Sequence, residues 1–280
     1  KISVTTIDAL TAKYAPDEYF RAYHFSLEKG MEIELKEVGK RLQSAGYVRV
    51  ELVEGKGEYA LRGGILDVFP PDSAQPYRVE LFGDEIDSIR TSHPENQRSI
   101  EQVPSFEIFP AKELILTEER MKEGAERIEK EFQDILKDKR KRKAYDNEAF
   151  EKLKSHVSSN LEYLKEGVFF ENIDAYLPFF FENPSSFFDF MGEAKIIVDD
   201  TAHSLGKLES VYQEFQEDYD AFLHRGEIMP SQGSLMLEKD LLLETLKNKD
   251  VITLNQFQKT ERFLPPRSLV NFNQITIYNY

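Results

Sequence analysis

Two consecutive β-hairpins between Gly57 and Pro110 restrict the possible folds of this chain more than any other stretch. Tyr59 to Leu61 and Ile65 to Phe69 are rich in β-branched or aromatic side chains and flank Arg62-Gly63-Gly64, while Tyr77 to Phe82 and Glu85 to Thr91 flank Gly83-Asp84. Side chains alternate across a strand, so Tyr77, Val79 and Leu81 share the face that the pattern assigns to a core, and Arg78, Glu80 and Phe82 share the other. Two readings of that second face stand side by side. An Arg, a Glu and a Phe at alternate positions, with Arg62 on the neighbouring hairpin, have the composition of a protein-binding patch. Equally, Arg78 and Glu80 form a solvated pair, and Phe82 fills a gap under the turn.

Charge and composition narrow the partner. With 51 acids against 36 bases the chain carries a formal charge of −15, the wrong sign for a surface that neutralises phosphates. A protein partner fits better. The absence of cysteine excludes disulfides and thiolate metal sites. The sequence shows no run of about 18 apolar residues and no secretory leader, so a cytoplasmic setting without membrane contact is expected. The chain opens on Lys1 and ISVTTI, which reads as an interior strand of a longer protein.

The residues EYALRGGILDVFP, PYRVELFGDEIDSIR and NQRS resemble the second domain of the bacterial transcription-repair coupling factors, the Mfd family, a domain shared with the excision-repair helicase UvrB. The likeness continues more weakly through LEKGMEIELKEVGKRLQSAGY and FFENIDAYLPFF. It favours the Mfd line because it extends past residue 110. The resemblance implies a partner, the damage-recognition subunit UvrA, and places its contacts on Arg62, Arg78, Glu80 and Phe82. It further implies an α/β fold: a degenerate RecA-like domain, residues 1–23 and 111–260, interrupted by an inserted α+β UvrB-type domain with antiparallel hairpins at 24–110 and followed by an exit linker at 261–280. On this reading the stretch is non-catalytic and needs no cofactor. ATP-dependent DNA translocation, and contacts with RNA polymerase and DNA, belong to other parts of the parent protein. The resemblance also permits a masked patch, covered by another domain until activation, and leaves an alternative in which the chain handles nucleotide or DNA in a UvrB-like helicase.

Along the chain, Ile2 to Ile7 reads as a buried strand and Asp17 as a helix cap after Pro16. Glu32 to Ala45 carries Ile33, Val38 and Leu42 near helical spacing, with Gly46 where a C-terminal cap is wanted, and should lie on the hairpins. Val48 to Val53 leads into the first hairpin. Beyond Pro110 long helical patterns begin: Thr117 to Leu136 keeps Met121, Ile128, Phe132, Ile135 and Leu136 near one face. The basic run KDKRKRK at 137–143 has two readings, a phosphate site or cations favoured by a helix C-terminus. Eight phenylalanines between Phe169 and Phe190 read as core. A charged helix around Leu208 to Phe222, a leucine-rich helix in LEKDLLLETLKN and a strand at Val251 to Leu254 complete the pattern.

KIIVDDTAH, with a strand at Ala194 to Val198 ending in Asp199-Asp200, has the outline of an element that delivers an acid to Mg²⁺. A nucleotide site also needs a Gly-rich phosphate cradle. Gly39-Lys40, Gly55-Lys56 and Gly206-Lys207 are followed by Arg41, Gly57 and Leu208 where Ser or Thr is required, and Glu34, Val50 and Thr201 stand where the first glycine belongs. Asp199 and Asp200 therefore read as a strand end rather than a metal site. His24, His93, His156, His203 and His224 form no paired ligand motif, and no serine sits in a nucleophile elbow.

Overall fold

The computed structural model describes residues 2–93, 98–138, 142, 145–255, 268 and 270. All of the expected exit linker except residues 268 and 270, and most of the basic run, lie outside the described residues. Among the described residues the strands are β1 (Lys13–Tyr14), β2 (Phe25–Glu28), β3 (Val48–Arg49), β4 (Glu58–Arg62), β5 (Ile65–Phe69), β6 (Tyr77–Phe82), β7 (Glu85–Ser92), β8 (Ser99–Gln102), β9 (Ser105–Ile108), β10 (Ser185–Ser186), β11 (Ile196–Asp199) and β12 (Val251–Leu254). The α-helices among the described residues are α1 (Asp17–Tyr23), α2 (Leu35–Ser44), α3 (Glu118–Lys137), α4 (Asn147–Lys165), the single turns α5 (Leu177–Phe180) and α6 (Phe187–Phe190), α7 (Thr201–His224) and α8 (Lys239–Asn248).

Strands β3 to β8 form one six-stranded sheet in sequence order, antiparallel except for the β3–β4 pair. Both expected hairpins are there. Arg62 pairs with Ile65 across Gly63 and Gly64, and Phe82 pairs with Glu85 across Gly83 and Asp84. Each turn needs a residue with positive φ, supplied by Gly63 at +59° and Gly83 at +66°. One face of the sheet contributes Tyr59, Leu66, Val68, Val79, Ile86 and Ile89 to a core closed by Val38 and Leu42 of α2 and by Phe25, Leu27, Phe106 and Ile108 of the β2–β9 ribbon. Helix α2 lies against β4 closely enough that a Cβ on Gly39 would sit 2.9 Å from Leu61. It ends as its sequence predicts: Gly46 takes φ +86°, its N–H reaches Gln43 O at 3.0 Å, and Tyr47 N–H reaches Leu42 O at 3.0 Å.

A second core is helical. Met121, Ile128, Phe132 and Ile135 of α3 interdigitate with Phe150, Leu153, Val157, Leu161 and Leu164 of α4, over Phe179, Phe180 and Phe181. Thr117 and Asp146 cap these helices by accepting from Arg120 N and Ala149 N. Ala15 belongs to this core, while Leu10 joins Phe188, Leu208, Leu242 and Leu246 in a third cluster. The segment before β2 thus packs with residues beyond 110; Thr11 O accepts from Leu237 N at 2.7 Å, and β1 pairs with β10. Strands β11 and β12 run parallel, in register Ile196 to Val251 through Asp199 to Leu254, with α7 and α8 between them in the chain.

Several expectations need correction. Ile2 to Ile7 is not a strand; Ile2 and Val4 are exposed, since no neighbouring strand among the described residues offers them a ladder. Asp17 opens α1 rather than capping it, and its carboxylate accepts from Arg21 Nε one turn later at 2.6 Å. Only Val48 and Arg49 of the Val48–Val53 run form strand. Residues beyond them fold back so that Val50 and Val53 pack on Ala60 and Phe69. Leu136 is exposed because it follows Ile135 by about 100° around the helix. Phe169 and Phe190 also sit at the surface, whereas Phe179, Phe180, Phe181 and Phe188 are buried.

The cores hold phenols at a cost that appears only in alkali. Burial raises the pKa of Tyr19, Tyr47 and Tyr145, and pushes Tyr212, which donates to Leu237 O, up to about 12. A raised phenol stabilises the fold fully below its unfolded value near 10, and that contribution is lost as pH rises through the folded value. Phenolate absorbance should therefore show a late-ionising class of tyrosines, and the thermal midpoint should fall between pH 10 and 12.

Candidate partner-binding site

The sheet face turned away from α2 carries the four residues singled out in the sequence. Phe82 ends β6 beside the Gly83 turn and is 85% exposed. It has no place in the module's own core. Val79 is fully buried on the opposite face, and Tyr77 and Leu81 are partly buried against that core. The alternation read from the sequence therefore holds through β6.

Arg78 and Arg62 meet on an acid that the sequence reading passed over. Asp67 of β5 lies directly across from Arg78 in the ladder, and its carboxylate is almost fully buried. Arg78 Nε donates to Asp67 Oδ1 at 2.7 Å and its Nη2 to Oδ2 at 3.0 Å; Arg62 Nη2 donates to Oδ2 at 2.6 Å. Hydrogen bonding to Asp67 raises the Arg78 pKa further above its ordinary value, so this guanidinium stays charged. The two arginines differ in reach: the Arg62 side chain is 48% exposed and that of Arg78 only 20%.

Glu80 belongs to a second pair. It accepts from Ser88 Oγ at 2.8 Å and lies 3.4 Å from Arg90 Nη2. A β-bulge makes this possible. From Phe82–Glu85 and Leu81–Ile86 the next residue opposite Glu80 would be Asp87, a repulsive pair, but the register shifts and Ser88 takes the place. Arg90 then stands opposite Arg78, and their like charges are offset by Glu80 and Asp67. Within this cluster of paired charges three arginines meet two acids, and Glu58 and Glu85 stand on the same face, opposite Phe69 and Phe82 in the ladder.

Among the described residues the other chemistry-bearing side chains form no metal-binding group. Asp200 takes φ +46° and accepts from His203 N at 3.1 Å, so its carboxylate caps α7. His24 stacks on Phe109 at 4.6 Å. Among the described residues no helix is long and apolar enough to cross a membrane.

A sheet covered on one face by α2 and the β2–β9 ribbon, and carrying paired charges and an exposed aromatic on the other, offers a surface suited to a protein partner. Residues 25–114 match the family model of the UvrB interaction domain, and this module belongs to that family. The particular relatives are DNA-repair proteins. The transcription-repair-coupling factor of Bacillus subtilis (strain 168) is 33% identical over 218 residues, 78% of this chain and 18% of that protein. That of Escherichia coli (strain K12) is 29% identical over 279 residues, 97% of this chain and 22% of its own length. The UvrABC system protein B of Thermosipho africanus (strain TCF52B) is 31% identical over 200 residues, 69% of this chain and 30% of that protein. The chain thus spans about a fifth of the coupling factors it matches.

Proposed function

We propose that this chain is the UvrA-docking region of a transcription-repair coupling factor, and that it recruits excision repair to stalled transcription through Arg62, Arg78, Glu80 and Phe82. One observation carries the reading: a large aromatic side chain stands 85% exposed at the end of a face whose charges are already paired and oriented. The composition matches an interface hot spot, in which an aromatic anchor and an arginine dominate. The names of the relatives supply the repair context. The region works as a docking element without catalysis of its own, in a cytoplasmic protein whose ATP-driven translocation and contacts to RNA polymerase and DNA lie elsewhere. The module at 24–110 is inserted between the two parts of the flanking domain, 1–23 and 111–260, a division supported by the packing of Leu10 and Ala15 with residues beyond 110. The alternative of nucleotide handling needs a phosphate cradle brought to Asp199; the neighbouring Asp200 carboxylate accepts from His203 N at the start of α7.

Calorimetric titration of UvrA into the chain tests the proposal. Saturable binding is expected for the unsubstituted chain. Arg78→Ala should weaken it by about 2 kcal/mol, roughly 30-fold, since truncating one member of a desolvated charge pair at an interface has that effect. The same variant should lose about 1–3 kcal/mol of stability, because Asp67 stays buried with Arg62 alone. Equal binding by both chains would remove the site assignment.

A further inference from the structure

We infer that Asp67 is the positioning residue of this face: it makes no contact with the partner itself but holds Arg62 and Arg78 in the conformation that binds. The inference rests on the docking reading above. Asp67 is too deeply buried to reach another protein, its side chain being 6% exposed, yet it lies on the outward face between the two arginines. Its placement follows from the ladder. Ala60 is its neighbour on β4 and Arg78 its neighbour on β6, while Arg62 lies on β4 one outward position beyond Ala60. Both carboxylate oxygens are used, and Oδ2 serves both guanidinium groups.

That arrangement does two things which burial alone does not require. The Nε and Nη2 edge of Arg78 is held in a two-point grip that fixes the plane of the guanidinium, so the rotamer freedom of a long side chain is removed before a partner arrives. The single negative charge also allows two positive groups to converge on one oxygen, where they would otherwise repel. A neutral side chain of the same shape would fill the space and provide neither. Glu80 has its own partners, Ser88 and Arg90, and Phe82 touches none of this cluster's bonds, so the role is specific to the arginines.

The test is a double-mutant cycle on the 280-residue chain titrated with UvrA, using Asp67→Asn, which keeps the shape and loses the charge. Circular dichroism melts establish that each variant is folded at the titration temperature. Asp67→Asn is expected to weaken binding 10- to 100-fold in the unsubstituted background and equally in a Phe82→Ala background. Combined with Arg62→Ala and Arg78→Ala it should change binding by less than twofold. Arginine side-chain NMR gives a readout without UvrA: the Arg78 Nε–H should be slow to exchange in the unsubstituted chain and fast in Asp67→Asn. Should Asp67→Asn unfold, Asp67→Glu, which keeps the charge but moves the carboxylate by one methylene, replaces it with the same expectations. Loss on Arg78→Ala with unchanged binding by Asp67→Asn would leave docking intact and overturn the positioning role. So would an equal effect of Asp67→Asn with both arginines absent. Binding indifferent to Phe82→Ala and Arg78→Ala alike would overturn the docking reading, and the positioning role with it.

Discussion

Phe82→Ala should abolish most UvrA binding while leaving the fold unchanged. A phenylalanine side chain that is 85% exposed contributes almost nothing to its own core, so its removal belongs with surface substitutions, within about 0.5 kcal/mol in stability. Its contribution at an interface is of another size. A phenyl ring presents about 150–250 Å², and burying most of that at about 25 cal/mol per Å² corresponds to roughly 4 kcal/mol before ordering costs. Alanine truncation at such a position should therefore cost about 2–4 kcal/mol, or about 30- to 1000-fold in Kd. Phe82→Leu should fall between, since it keeps the apolar volume and loses the ring. The measurement pairs a calorimetric titration with a thermal melt on the same samples. An unchanged melt with lost binding assigns the ring to the interface; an unchanged melt with unchanged binding removes Phe82 from it.

Phe82 and its neighbours could be placed from the sequence because strand alternation is a local property. Once Gly83-Asp84 is read as a turn, Tyr77, Val79 and Leu81 must face one way and Arg78, Glu80 and Phe82 the other. Asp67 was half-legible. The Gly63-Gly64 turn pairs Arg62 with Ile65 and therefore Ala60 with Asp67, which puts an acid on the outward face near Arg62. Its pairing with Arg78 depends on the register between β5 and β6, which are joined by the seven residues 70–76, too long a connection to fix a register. The bulge between Glu80 and Leu81 was hidden for a different reason. It has no glycine to mark it, and its effect, exchanging Asp87 for Ser88 opposite Glu80, emerges only when both strands are paired. The failed strand at Ile2 to Ile7 shows the same boundary from the other side: β-branched residues give a preference for strand, and a neighbour must supply the hydrogen bonds.

Phe180→Ala should destabilise the helical part severely and leave the docking face working. Phe180 is fully buried against α3, where its ring lies so close that a Cβ added to Gly124 would meet it at 2.3 Å. Glycine is therefore the residue that lets α3 and α5 approach. The backbone around Phe180 is held from the same helix: Arg120 Nη1 donates to Phe180 O at 3.2 Å and Arg127 Nη1 to Phe179 O at 3.0 Å. With its neighbours pinned in this way, the site has little freedom to collapse into the space the ring leaves. Truncation should then cost about 3–5 kcal/mol, the range for a phenylalanine removed from a rigid core. The core beneath Arg78 and Phe82 contains none of these residues; it is built from α2, the sheet and the β2–β9 ribbon. Below the lowered melting transition, the Phe180→Ala chain should therefore bind UvrA within about twofold of the unsubstituted chain, two distant sites contributing independently. A parallel loss of affinity would mean that the helical part shapes the docking face, and the interface would then have to be sought across both cores.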